Sequence, residues 1–250
     1  MEVHSHPHSP GKRWTHYLWE FLMLFLAVFC GFLAENQREH IVEKKRAKEY
    51  ATLLYQDIKA DTGTVKQQIW EIGFVDPRID TFINLVQKYK PEELPGGIWY
   101  YYGRFPTRTF QITFQDATLQ QLKNSGGLRY FGNSSVASAI AHYDQACRDL
   151  ETGVTDETLV NLELIKWRNK LFNTYLMNEV MNFDVPFEKI DSFKKKNIPL
   201  LSSRKEDFIQ YSNICQMRLY NNGFIYDNYK KVLKRGESLL ALLKKEYNLE

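Results

Sequence analysis

Residues 14–34 form an apolar run in which Glu20 is the only carboxylate and in which no Lys or Arg occurs. A bilayer core of about 30 Å is crossed by about 20 apolar residues in a helix, so the run is long enough to span one. Trp14, Tyr17 and Trp19 gather at its start, as amphipathic rings do at the headgroup level. A soluble amphipathic helix shows a polar face at a period of about 3.6 residues, and none recurs over residues 21–33. Lys12 and Arg13 offer the charged start of a secretory signal, but small residues suited to cleavage are missing. Bulky Phe32 and Leu33 stand just before the polar turn instead. The run reads as an uncleaved transmembrane helix over 14–34.

Beyond Ala34 the chain turns polar. Residues 35–72 are rich in Glu, Lys, Arg, Ala, Gln and Leu, all good helix formers, with no Pro and with Gly63 as the first Gly. Leu54, Ile58, Val65, Ile69 and Ile72 recur at helical spacing. The membrane helix is therefore expected to continue into a long connecting helix over 35–73, with a helical extramembrane domain over 74–250. Asp76-Pro77 predicts a new helix start, and "KPEELPGG" a break. "IWYYYGRFPTRTFQITF" is aromatic and β-leaning, too short for a sheet, and predicts a short aromatic loop or hairpin. Further helices are expected from a capping signal at Thr113 with Asp116 to Ser125-Gly126-Gly127, from Asn133 or Ser134 to Gly153, and from Thr155 onward. Pro186 and Pro199 delimit a connecting piece, and a last helix runs from Ser203 to Tyr247, with bends expected near Gly223 and Gly236. The fold class is mainly α: a transmembrane helix continuing into a long helix, followed by a helical bundle.

Lys and Arg number 33 against 30 Asp and Glu, a formal net charge of +3, too balanced to point to nucleic acid. Cys30 lies in the span. Cys147 and Cys215 can pair only if the fold brings them together, and two unrelated buried thiols is the simpler expectation. Signatures of catalysis are missing: no zinc-protease His-Glu pair, phosphate loop, nucleophile elbow or paired-cysteine metal site occurs. His142 and Cys147 are five apart on one helix, hence on different faces. The chain is expected not to be an enzyme and to carry no cofactor.

Several features remain as candidate sites. Glu20 is a carboxylate inside a span, where charge is costly and commonly functional. It serves either at the interface, near Tyr17 and Trp19, or in an ion-coupled, motor-type contact. Ala27, Gly31 and Ala34 form a small-residue stripe of the kind that lets membrane helices pack closely. His4, His6 and His8 alternate in residues 1–13, a flexible His-rich tail that would hold a metal only loosely. Trp99, Tyr100, Tyr101, Tyr102 and Phe105, with Arg104 and Arg108, have the composition of a partner contact and equally that of a plug between helices.

"YLWEFLMLFLAVFCGFLAENQREH" resembles the N-terminus of an uncharacterised family of single-pass envelope proteins of Bacteroidota. Tyr17 and Glu20 match the Tyr-x-x-Glu pattern with which that family enters the membrane, and Gly31 with Leu33-Ala34 its exit. "LQQLKNSGGLRYFGNSSVASAIAHYD" resembles its Ser-Gly turn and following helix. The resemblance implies an inner-membrane protein with its C-terminal domain in the periplasm. Arg38, Lys44, Lys45, Arg46 and Lys48 beyond the span, counted strictly, imply the opposite orientation. The function expected is that of an interaction or accessory subunit of an envelope complex, touching membrane lipid and partner proteins or its own copies. The alternative is a helical sensor that binds a small ligand between its helices.

Overall fold

The computed structural model describes residues 14–249, with the side chains of 154–156 left aside. The His-rich tail lies outside the described residues. Six helices carry the fold: α1 (Trp14–Lys88), α2 (Gly96–Gly103), α3 (Ala117–Asn124), α4 (Ser134–Leu171), α5 (Phe187–Lys194) and α6 (Lys205–Tyr247). Short 3-10 turns join them, and no strand occurs among the described residues. The mainly α expectation holds. The chain divides into two units, 1–50 and 51–250. The compact unit thus begins at Ala51, well before residue 74, and takes in the later part of the connecting helix.

Within the second unit, α1, α4 and α6 form a three-helix bundle whose directions follow from its contacts. Asp76 of α1 meets Asn222 of α6, and Lys66 meets Glu237, so these two helices run antiparallel. Lys170 of α4 pairs with Asp207 of α6 and Glu157 with Arg218, again antiparallel. Tyr143 of α4 reaches Asp61 of α1. Each helix buries a stripe at spacings of three and four: Ile72, Val75, Ile79, Phe82 and Val86 on α1, for example.

That stripe explains one departure from expectation. Asp76-Pro77 predicts a helix start, yet α1 runs through Pro77 to Lys88. An interior Pro forfeits a backbone hydrogen bond at about 3 kcal/mol. Five buried side chains, each worth about 1.5–3 kcal/mol, outweigh it. Likewise α4 passes through Gly153, the expected stop, because Leu150 and Leu164 are both fully buried on either side. The local cost of Gly in a helix is only about 1 kcal/mol. Where no such packing competes, the local signals win. α3 stops at Gly126, which adopts φ 66°, and the Asn133 side chain caps α4 by accepting from the Ser135 amide at 2.9 Å.

The expected aromatic loop or hairpin is instead a helix. α2 inserts at the end of the bundle where α1 and α4 finish and α6 begins. Trp99 stacks edge-on against Phe82 of α1 and Phe208 of α6, at ring separations of 6.1 and 5.0 Å. Tyr100 meets Phe172 at 5.1 Å, accepts from the Asn173 amide and donates to the Pro199 carbonyl. Three consecutive rings cannot alternate faces as a strand here, because Trp99, Tyr100 and Tyr101 are all buried. From Arg108 the chain then runs extended along the bundle without pairing into a sheet. The Tyr229 hydroxyl donates to the Phe110 carbonyl, and the Gln115 amide to the Asp61 carboxylate. Lys205 caps the end of α1 by donating to the carbonyls of Val86 and Tyr89.

α2 sits so close to its neighbours that two of its residues have no room for a side chain. A Cβ on Gly96 would lie 1.8 Å from the Ile198 carbonyl oxygen, and one on Gly97 2.0 Å from that of Phe193. Gly96→Ala or Gly97→Ala is expected to destabilise the domain by about 2 kcal/mol or more, since backbone must move. Gly63→Ala, in open space on α1, should raise stability by up to about 1 kcal/mol. Urea unfolding of the three variants checks both signs.

Candidate functional site

In the first unit the most apolar 18-residue window has a mean hydropathy of 2.0 and no buried residue. This helix is long and apolar enough to cross a membrane. Glu20 has a neighbour that sequence reading missed: His16 Nε2 lies 3.0 Å from its carboxylate, one helical turn away. The signal was present as an i, i+4 spacing. A Cβ added at Gly31 would meet nothing within 4 Å, so the stripe of Ala27, Gly31 and Ala34 offers an open face within the chain itself.

The second candidate, the aromatic segment, is corrected by its burial. Trp99, Tyr100, Tyr101, Arg104 and Phe105 are all buried, and Tyr102 and Arg108 are half-buried. They are a plug between helices and do not present an exposed face for a partner. The exposed apolar side chains of this unit lie elsewhere, and Met217, Tyr220 and Phe224 share one face of α6. Tyr220 and Phe224 line a cavity of about 230 Å³ beside Gly153.

The plug nevertheless gathers charge. Rings and cations alternate along its outer side. Arg108 lies 4.4 Å from the centre of the Phe183 ring, Arg78 3.4 Å from Phe74, and Arg104 4.2 Å from Phe105 and 4.9 Å from Tyr101. Lys194 lies 4.3 Å from Tyr101 on the same series. A guanidinium over an aromatic face is attracted by the ring quadrupole, by about 2 kcal/mol where water is excluded. Arg108 also donates to the Met181 carbonyl and Arg78 to the Phe74 carbonyl. Arg104 is only 4 % exposed, and its Nε and Nη1 find no acceptor among the described residues. Burial lowers its pKa to about 10, with Tyr101 opposing the shift and Arg108 and Arg78 adding to it. The four cations come from α1, the turn after α2, and α5, which is why no short motif announced them.

A deeper polar group lies between the long helices. Arg218 and Glu157 form a buried ion pair at 2.7 Å, and Arg218 also donates to the Arg108 carbonyl. Burial pushes the Glu157 carboxyl up and the Arg218 guanidinium down, each opposed by the other's charge. Removing one member of such a pair leaves an uncompensated buried charge, at about 3–5 kcal/mol. One turn along α6, the Asn222 amide donates to Asp76 at 2.6 Å. This arrangement is structural in kind: it specifies the register of α1, α4 and α6.

Cys147 and Cys215 are both buried free thiols, and burial pushes Cys147 up to about 12 and Cys215 well above its ordinary value. Neither is poised as a nucleophile. His142 is exposed while Cys147 is buried, so the two face apart, as their spacing implied. No protein-family model, curated protein or solved structure matches the chain.

Asp76 gives this site a pH signature. Burial raises its pKa from 3.8 to about 6, against the opposing Asn222 hydrogen bond and Arg218 charge. The folded state thus holds this proton more firmly than the unfolded chain. Its contribution to stability is fullest below about pH 4 and is lost as pH rises through 6. Asp76→Asn abolishes that dependence. The thermal midpoint of the variant minus that of wild type should rise from about pH 4 to about pH 7 and stay constant above it, measured by circular dichroism.

Proposed function

We propose that the protein is a single-pass inner-membrane protein whose helical domain stands in the periplasm and serves as an interaction or accessory subunit of an envelope complex. One observation carries this reading: residues 14–34 form an apolar helix that nothing among the described residues covers. Apolar surface costs about 25 cal/mol per Å² in water, so a helix this apolar requires lipid or another protein around it. The separate compact unit over 51–250 has its own core and needs no lipid to fold. Division of labour follows. The helix holds the domain at the membrane, and its small-residue stripe is free to pack against a second membrane helix. The periplasmic orientation rests on the resemblance carried by Tyr17, Glu20 and Gly31.

Two experiments test the reading. After carbonate washing the full-length chain should remain in the membrane pellet with its N-terminus intact, whereas a mature form beginning beyond Ala34 would make the helix a cleaved signal. Protease added to spheroplasts should digest the domain beyond Arg46, and its protection would reverse the orientation. The stripe has its own test in Gly31→Leu. Because a Cβ there meets nothing within the chain, any effect reports on a contact with another helix. Membrane insertion should be unchanged. Recovery of a co-purifying partner or homo-oligomer should fall several-fold, as expected for a contact of about 1 kcal/mol between membrane helices.

A further inference from the structure

Two buried asparagines of α6 differ in what their amide nitrogens donate to. Asn222 donates to Asp76 at 2.6 Å. Asn228, only 4 % exposed, accepts from Lys231 Nζ at 3.2 Å through its Oδ1, but its Nδ2 donates to nothing among the described residues. Buried polar groups are normally hydrogen-bonded, because an amide donor left without an acceptor costs about 1–3 kcal/mol. The surroundings of Asn228 supply a reason for the exception. It lines a cavity of about 190 Å³ between α4 and α6, walled by His142, Gln145 and Asp149 on one helix and by Lys231 and Arg235 on the other. A Cβ placed on Gly153 would lie 3.7 Å from Asn228 Nδ2 and 3.4 Å from the Phe224 ring. Gly153, Tyr220 and Phe224 line the cavity of about 230 Å³, so the two cavities adjoin where Gly153 has no side chain. Residues 224, 228, 231 and 235 recur at spacings of three and four along one flank of α6. Together the cavities make one groove, with rings at one end, cations at the other and the unused amide donor between them.

We infer that this groove binds an aryl monocarboxylate, its ring against Tyr220 and Phe224 and its carboxylate held by Asn228 Nδ2, Lys231 and Arg235. The donors suit an anion. An ammonium carries three donors, so Lys231 keeps two after bonding Asn228. Arg235 makes no hydrogen bond or ion pair among the described residues, and its planar fork matches the two oxygens of a carboxylate. Asp149 faces the same cavity but is already engaged by Gln145 at 2.6 Å. Lys231 and Arg235 against Asp149 leave one positive charge in excess among the described lining residues, which a single carboxylate neutralises. The second charge of a phosphate dianion would have no counterpart. The apolar end has room for a ring, since a cavity of about 150 Å³ with apolar walls holds benzene. Tyr220 and Phe224 are exposed, and an aryl group packed on them edge-on or offset removes apolar surface from water. The site lies within the unit over 51–250, so the inference does not depend on the membrane role or on orientation.

The test uses the full-length protein in a neutral detergent, with phenylacetate as probe and acetate and phenylacetamide as controls, at constant neutral pH and ionic strength. A ligand that binds the folded state raises the thermal midpoint by mass action. Phenylacetate should raise the wild-type midpoint by several degrees, in proportion to the logarithm of its concentration once the site is saturated. Acetate lacks the ring and phenylacetamide lacks the charge, and each should give a much smaller gain. Arg235→Gln, at an exposed position, should fold as wild type and bind phenylacetate about tenfold more weakly, through loss of a charge-assisted hydrogen bond. Asn228→Asp keeps the shape and the contact with Lys231 but sets a carboxylate against the ligand, and should abolish the gain. Lys230→Gln removes a charge beside the groove that is paired with Asp227, and should keep the gain. Should Asn228→Asp fail to fold, the comparison of Arg235→Gln with Lys230→Gln decides. The inference is overturned if phenylacetate leaves the wild-type midpoint unchanged, if acetate or phenylacetamide matches it, or if the gain survives undiminished in Arg235→Gln. It is also overturned if Lys230→Gln loses as much as Arg235→Gln, since net charge alone would then account for the binding.

Discussion

The domain depends on one contact, the insertion of Trp99 between Phe82 of α1 and Phe208 of α6. Three long helices can slide along one another if only aliphatic stripes hold them, because one turn of shift restores much the same packing. A short helix driven crosswise into their end removes that freedom. Trp99 is fully buried and donates its indole N–H to the Pro91 carbonyl, which fixes the approach of α2. Tyr211 adds a second fixed point by donating to the Gly103 carbonyl at 2.8 Å. The glycines at 96 and 97 are the steric counterpart: α2 enters this far only because its first turn has no side chains against 193–198.

From this insertion the charges follow. Placing four consecutive aromatic residues, then Gly103 and Arg104, on one short helix and its exit leaves the guanidinium inside, among rings. The next residues lead out along the bundle, where Arg108 lends its carbonyl to Arg218. The outer cationic series and the inner Arg218–Glu157 pair are therefore joined through one backbone position. They differ in kind. Arg218 has its counter-charge at 2.7 Å within the fold, whereas Arg104 has none among the described residues. Arg104 is held instead by the Tyr101 and Phe105 rings and by a hydrogen bond with Tyr101.

Much of this is legible in the sequence, for identifiable reasons. The membrane-length helix, the capping Asn133 and the stop at Gly126 each rest on interactions within a few residues, and all three are present in the fold. Pro77 and Gly153 mislead because their local penalties are smaller than the tertiary burial on either side, which no window of sequence contains. Residues 98–102 look β-leaning because aromatic residues favour strands. That preference expresses packing on a half-buried surface, and here the helix is enclosed by its neighbours, with Trp99, Tyr100 and Tyr101 all buried. Their exposure as a contact surface fails for the same reason. The cationic series is out of reach altogether, since Arg78 and Lys194 are brought to Arg104 by α1 and α5 from distant parts of the chain.

α2 is an integral keystone of the bundle and not a loop resting on it. Hydrogen exchange of the full-length protein, followed by mass spectrometry, distinguishes the two. For a keystone, the amides of residues 99–103 exchange only through global unfolding, with the same protection as those around Phe82 and Tyr211. Exchange of 99–103 at a rate far above that of α1 and α6, with those helices still protected, would contradict it.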